Sequence, residues 1–126
     1  MMTQADVLAF LEFTDELGIV PWLAGGWGSD ADRGTQTGPH ADLDVFVNAR
    51  EVATLSQHLA LRGFTARVDE PWHVTYSDSH DRRIDVRLFE REGAQITHGP
   101  DERWPATILD GYGLIGTRTV RRLLVS

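Results

Sequence analysis

Residues 41–47 constrain the fold of this chain most, because their polarity alternates with the period of a β-strand. Every second residue from Leu43 onward has a branched aliphatic side chain, namely Leu43, Val45 and Val47. Asp42, Asp44 and Phe46 project from the opposite face. A strand of this kind is typical of a sheet with one buried face and one more polar face.

Helix-like and strand-like segments alternate along the rest of the chain. Three helices are predicted: one from a capping box at Thr3 and Asp6 to Gly18, a short one from Trp27 to about Gly34, and one from Asn48 and Glu51 to Gly63. Further strands are predicted at residues 19–24, 64–70, 73–78, 83–90 and 114–120. Loops are expected at residues 35–39, 77–81, 104–105 and 110–113, and residues 121–125 as a strand extension or a frayed helix. This order predicts an α+β fold with helices packed mainly on one face of a sheet.

Length and composition narrow the class of protein. The 126 residues are 41% hydrophobic, which suits a single domain with one core. The 12 basic and 19 acidic residues give a net charge of −7, which argues against broad binding to a phosphate backbone. The absence of cysteine excludes disulfides, thiolate zinc sites and a cysteine nucleophile. No signal peptide or membrane-spanning run is evident, so we expect a cytoplasmic protein.

The aspartates form the first candidate site. Asp42 and Asp44 lie two residues apart on one strand face, where their charges repel unless a divalent cation such as Mg²⁺ lies between them. Asp85 stands in a later strand whose aliphatic residues alternate with it, so it faces away from the core. Each aspartate alone is more simply explained as part of a solvated strand face. The combination points to three carboxylates around a metal ion.

Gly25 and Gly26 form the second candidate site, at a junction between a predicted strand and a predicted helix. Glycines there allow backbone N–H groups to approach a phosphate, and the helix N-terminus adds a favourable dipole. A pair of glycines at a strand end is also an ordinary turn, and the residues leave both readings open.

These motifs resemble the polymerase-β-type nucleotidyltransferases. That superfamily combines a Gly-Gly or Gly-Ser turn, an Asp-x-Asp strand and a third carboxylate on a later strand. The run from Ala24 through Gly25, Gly26 and Trp27 to Asp30, followed by Gly34, Thr37, His40, Asp42 and Asp44, is similar to the aminoglycoside and lincosamide adenylyltransferases. The resemblance covers most of the chain and implies a nucleotidyltransferase-like mixed sheet.

The resemblance implies transfer of a nucleoside monophosphate, usually AMP from ATP, to a hydroxyl of a small acceptor such as an antibiotic. Asp42 and Asp44 would hold Mg²⁺, with two ions expected, and Asp85 would be a metal ligand or the general base. The nucleotide would be bound by a further set of residues: Gly25, Gly26, Trp27 and His40. Trp27 could equally pack beneath the loop, and His40 could equally form a loop-stabilising hydrogen bond.

The sequence departs from the resemblance at three places. Gly38 replaces a basic residue, and Arg87 stands where relatives often have histidine and could contact phosphate instead. Relatives continue into a helical C-terminal part that helps to build the acceptor pocket and often a homodimer. We therefore expect one nucleotidyltransferase domain over residues 1–126 without that part, and a homodimer as a possible assembly.

Two other functions stay open. One is a toxin-type nucleotidyltransferase acting on tRNA or protein, although the acidic balance disfavours a nucleic-acid partner. The other is a non-catalytic nucleotide-binding remnant. Among the remaining polar residues, His73, His80 and His98 are expected at exposed positions, and Arg118 is a conceivable triphosphate contact.

Overall fold

A computed structural model describes residues 1–124 of the chain. The helices are α1 (Gln4–Leu17), α2 (Gly25–Arg33) and α3 (Val52–Leu61), with short 3₁₀ helices at Ala49–Glu51 and Ala106–Asp110. The strands are β1 (Trp22–Ala24), β2 (Leu43–Asn48), β3 (Thr65–Glu70), β4 (His73–Ser77), β5 (Arg83–Glu92), β6 (Gln95–His98), β7 (Glu102–Pro105), β8 (Gly111–Ile115) and β9 (Arg118–Arg122).

The strands form one mixed sheet in the order β3-β4-β5-β2-β1-β9-β8, and β6 and β7 extend it from the far end of β5. The pairs β2–β5 and β1–β9 are parallel, and the other pairs are antiparallel. Because β2 and β5 are central, parallel neighbours, residues at the same level of the two strands lie side by side.

The two faces of the sheet are covered differently. The aliphatic face of β2 and β5 packs against all three helices, as the alternation in residues 41–47 predicts. One end of the opposite face is covered by a second cluster that joins Phe46 and Phe89 to Ile96, Ile108 and Leu109. Among the described residues, no hydrophobic cluster covers the other end of that face, where Asp44 and Asp85 lie. The α+β fold with helices on one face is confirmed.

Local signals in the first half of the chain predict the elements well. Thr3 and Asp6 form the predicted capping box of α1, and Gly18 ends that helix. The predicted start of the third helix is only partly correct, because Asn48 Oδ1 accepts a hydrogen bond from the Arg50 N–H and caps a 3₁₀ turn that precedes α3. Within residues 1–124, no helix combines the length and apolarity needed to cross a membrane.

The second half departs from the sequence-based expectations. Residues 114–120 are not one strand, because β8 ends at Ile115 and a two-residue turn of Gly116 and Thr117 leads into β9. Loops were expected at residues 104–105 and 110–113, and both predictions are wrong. Pro105 is the last residue of β7, which pairs only with β6 among the described strands, and proline is tolerated on an edge strand of this kind. The predicted segment 121–125 continues β9 to Arg122, and Val125 lies outside the described residues.

Candidate active site

Three carboxylates meet at the uncovered end of the sheet face. Asp44 on β2 is in register with Asp85 on β5, and Asp42 lies immediately before β2. One oxygen of each carboxylate lies within 4.8 Å of an oxygen of the other two. Asp85 is buried, and Asp42 and Asp44 are half-buried. The structure thus brings together the three aspartates that the sequence singled out.

The shared charge changes the acidity of these groups. Burial, the hydrogen bond with Asp85 and the negative charge of Asp44 raise the pKa of Asp42 to about 6. Burial and the charge of Asp85 also raise the pKa of Asp44. Burial acts to raise the pKa of Asp85 as well, but hydrogen bonds with Asp42 and Thr75 and the charge of Arg83 outweigh it, and the pKa is lowered. A set of carboxylate oxygens that repel one another fits a hard divalent cation such as Mg²⁺.

The first turn of α2 lies against this cluster. Gly25 begins the helix with φ at 59°, and a Cβ on it would collide with the Asp44 carboxylate. A Cβ on Gly26 would collide with the His40 imidazole. The N-cap residue, Ala24, has no side chain that can accept a hydrogen bond, so it caps none of the N-terminal N–H groups of this nine-residue helix. This helix end can therefore receive an anion beside the carboxylates.

A buried aspartate ties the loop before β2 to α2. Asp30 Oδ2 lies 2.6 Å from His40 Nε2, and Asp30 Oδ1 accepts a hydrogen bond of 2.7 Å from Thr37 Oγ1. Burial acts to raise the pKa of Asp30, but the hydrogen bonds with His40 and Thr37 outweigh it and lower the pKa. His40 thus forms the loop-stabilising contact weighed above, while its Nδ1 edge faces Gly26. This contact holds the residues just before Asp42 in place.

Comparison with known proteins identifies the family. A family model described as aminoglycoside-2''-adenylyltransferase matches residues 6–121, which is nearly the whole chain. The chain belongs to this family.

Three relatives illustrate the match to the adenylyltransferase family. A lincosamide resistance protein of Staphylococcus haemolyticus is 28% identical over 67 residues, which cover 53% of this chain and 42% of that protein. The crystal structure of the lincosamide antibiotic adenylyltransferase LnuA, with lincomycin bound, has a TM-score of 0.85 at 19% identity, covering 97% of this chain and 80% of that chain. The structure of ANT(2'')-Ia in complex with adenylyl-2''-tobramycin has a TM-score of 0.79 at 20% identity, covering 95% of this chain and 68% of that chain. The two structures establish the shared fold.

The side chain of Trp27 is not available for stacking on a nucleotide base in this adenylyltransferase family member. Its side chain is 1% exposed, and its ring packs edge-on against His40 with the centroids 5.0 Å apart. Stacking on a base requires an open ring face, and burial removes it. The alternative weighed from the sequence, packing beneath the loop, describes its position.

Two arginines considered from the sequence lie in different places. Arg87 is half-buried on β5, in register with Phe46 and His73, and its charge acts to lower the pKa of Asp44. Arg118 pairs instead with Asp15 on α1, at the end of β9 away from the carboxylates. The structure therefore brings Arg87, and not Arg118, to the site of this family member.

Three histidines were expected at exposed positions; His80 is exposed as predicted, whereas the predictions for His73 and His98 are wrong. His98 is 3% exposed, packs against the rings of Phe46 and Trp104, and contacts Glu102 Oε1 through Nδ1 at 2.9 Å. His73 borders the carboxylates, with Nε2 3.3 Å from Asp85 Oδ1. Alternation in the predicted strand at residues 73–78 places His73 and Thr75 on one face, which is a signal for their grouping. It does not specify that this face opposes Asp85.

Proposed function

We propose that this protein catalyses Mg²⁺-dependent transfer of AMP from ATP to a hydroxyl of an aminoglycoside or lincosamide antibiotic, with release of pyrophosphate. The observation that carries the proposal is the meeting of Asp42, Asp44 and Asp85 beside the open N-terminus of α2. Membership of the adenylyltransferase family supports the same reaction. A phosphate chain placed at that helix end would lie next to the carboxylates.

Each residue of the site has a proposed role. Asp42 and Asp44 hold Mg²⁺, for which we propose two ions, and Gly25 and Gly26 present backbone N–H groups to the phosphates. Bound Mg²⁺ would neutralise negative charge on the triphosphate. Asp85 is a further metal ligand or accepts the proton of the acceptor hydroxyl, and its lowered pKa keeps it ionised at neutral pH.

The acceptor class is supported by charge as well as by family. The net charge of −7 attracts cationic antibiotics and repels nucleic acid, which disfavours the toxin-type reaction on tRNA. We further propose that residues 1–126 form one nucleotidyltransferase domain, because both hydrophobic clusters pack on one sheet. A homodimer and a cytoplasmic location complete the proposal, and light scattering of the purified protein tests the dimer.

The test measures pyrophosphate release from ATP and Mg²⁺ with tobramycin, lincomycin or tRNA as acceptor, with mass spectrometry of the product. We expect release with at least one antibiotic, a product that carries one adenylyl group, and no turnover of tRNA. Asp42→Asn combined with Asp44→Asn should abolish the reaction, whereas Asp101→Asn, at an exposed turn, should not change it. ATP binding without transfer to either antibiotic would favour the non-catalytic remnant, and transfer to tRNA would favour the toxin-type enzyme.

A further inference from the structure

A hydrogen bond from the neighbouring strand holds one oxygen of Asp85. β4 runs antiparallel to β5 with Thr75 directly opposite Asp85, so the two side chains share a sheet face. Thr75 Oγ1 lies 2.8 Å from Asp85 Oδ1 and can donate a hydrogen bond to it, and both residues are 5% exposed. Because the contact is shielded from water, the hydroxyl restricts the rotation of the Asp85 carboxylate.

A second group on β4 approaches the same oxygen. His73 lies two residues before Thr75 on the same face, and its Nε2 is 3.3 Å from Asp85 Oδ1. The other oxygen, Oδ2, has a neighbour of a different kind: Arg83 Nε lies 3.5 Å away, and the Arg83 side chain is 48% exposed. An exposed arginine can move into solvent, whereas the buried hydroxyl cannot. The two oxygens of Asp85 are therefore held unequally.

Thr75 itself is fixed from its other side. Its Oγ1 lies 2.6 Å from Asp69 Oδ2, and Asp69 Oδ1 accepts a hydrogen bond of 2.6 Å from Arg67 Nε. The hydroxyl thus sits between two carboxylates and can donate its one proton to either. None of these groups on β3 and β4 belongs to the metal-binding aspartates, and they form a layer beside the site.

We propose that Thr75 and His73 are positioning residues of the transfer reaction. They hold Oδ1 of Asp85, and this leaves Oδ2 of Asp85 oriented towards a cation or the acceptor hydroxyl. The inference rests on the proposed function. Groups that orient a ligand through such outer contacts influence metal affinity and turnover without touching the substrate.

The test compares Thr75→Val, which keeps the shape but removes the hydroxyl, with Thr75→Ser, which keeps the hydroxyl. For each variant, Mn²⁺ affinity is measured by electron paramagnetic resonance, and kcat and KM for the antibiotic are measured as well. We expect Thr75→Val to lose about 10-fold to 100-fold in Mn²⁺ affinity or in kcat, with KM for the antibiotic little changed. Thr75→Ser should restore most of the loss. Thr65→Val, at an exposed position on β3, is the matched control and should behave as wild type.

Two results would overturn the inference. One is wild-type Mn²⁺ affinity and kcat in Thr75→Val. The other is an equal loss in Thr75→Ser together with a lower melting temperature, which would mean that the methyl group and packing matter instead. If wild type transfers AMP to no acceptor, the proposed function fails, and the Mn²⁺ affinities of the two variants still decide the role of Thr75.

Discussion

At the scale of single residues, the candidate site depends on a glycine, because a side chain at that position would not fit. Gly25 combines a left-handed backbone with direct apposition to the Asp44 carboxylate. An alanine at this position would be unfavourable for two reasons: its backbone would be strained, and its methyl group would displace Asp44. The glycine therefore allows a helix N-terminus and a carboxylate of the proposed metal site to share one small volume.

We predict that Gly25→Ala abolishes detectable adenylyl transfer and weakens Mn²⁺ binding, because Asp44 must move away from Asp42 and Asp85. Mn²⁺ titration and the pyrophosphate assay measure the two effects. Gly18→Ala is the matched control, since Gly18 has a similar φ of 70° but open space around the site of a Cβ. It should lower the free energy of unfolding by about 1 kcal/mol and leave Mn²⁺ affinity unchanged. Equal Mn²⁺ affinity in the two variants would contradict the prediction.

At the scale of elements, the β8–β9 hairpin fixes the position of α2 relative to the sheet. Gly113 on β8 lies so close to α2 that a Cβ would collide with the main-chain carbonyl of Ala31. Backbone cannot yield as a flexible side chain can, so the spacing between strand and helix is set by this contact. Because α2 begins at Gly25, its placement also positions the N–H groups beside the carboxylates.

We predict that Gly113→Ala lowers the free energy of unfolding by about 1–3 kcal/mol, because the added methyl group overpacks the interface. Urea denaturation measures the loss, and a shift of α2 should also raise KM for ATP. Gly38→Ala serves as the comparison, since that position has open space and no strained φ. The prediction fails if both variants unfold at the same urea concentration.

At the scale of the whole molecule, the carboxylate cluster opposes the stability that the two hydrophobic clusters provide. The pKa of Asp42 is raised from 3.8 to about 6, so between these values the folded protein binds a proton that the unfolded chain releases. This group therefore makes the metal-free protein less stable as pH rises from about 4 towards 7. A cation that binds only the folded state acts in the opposite direction.

We predict that the melting temperature of the wild-type protein in EDTA falls as the pH rises from 5 to 7. The melting temperature of Asp42→Asn should fall less over the same range, because this variant lacks the titrating carboxyl group. At pH 7, Mg²⁺ at about 100 times its Kd should stabilise wild type by about 2.7 kcal/mol. The double variant Asp42→Asn with Asp44→Asn should show no Mg²⁺ effect, whereas Asp101→Asn should respond as wild type. A Mg²⁺ shift of equal size in the double variant would place the cation elsewhere.

Local patterns in the chain are enough to predict α1, β2, the glycine pair and the spacing of Asp42 and Asp44, because each depends on neighbours a few residues apart. Asp85 could be proposed as a third carboxylate, although its approach to the other two follows from the parallel pairing of β2 with β5. The network of Thr75 and His73 could not be predicted, since a shift of one residue between β4 and β5 would turn both side chains to the other face. The covering of Trp27 and His98 likewise depends on distant segments packing over them. Structure that depends on residues close in sequence could be predicted from periodicity and capping. Contacts between strands could not, because they depend on the strand register, which only the tertiary structure determines.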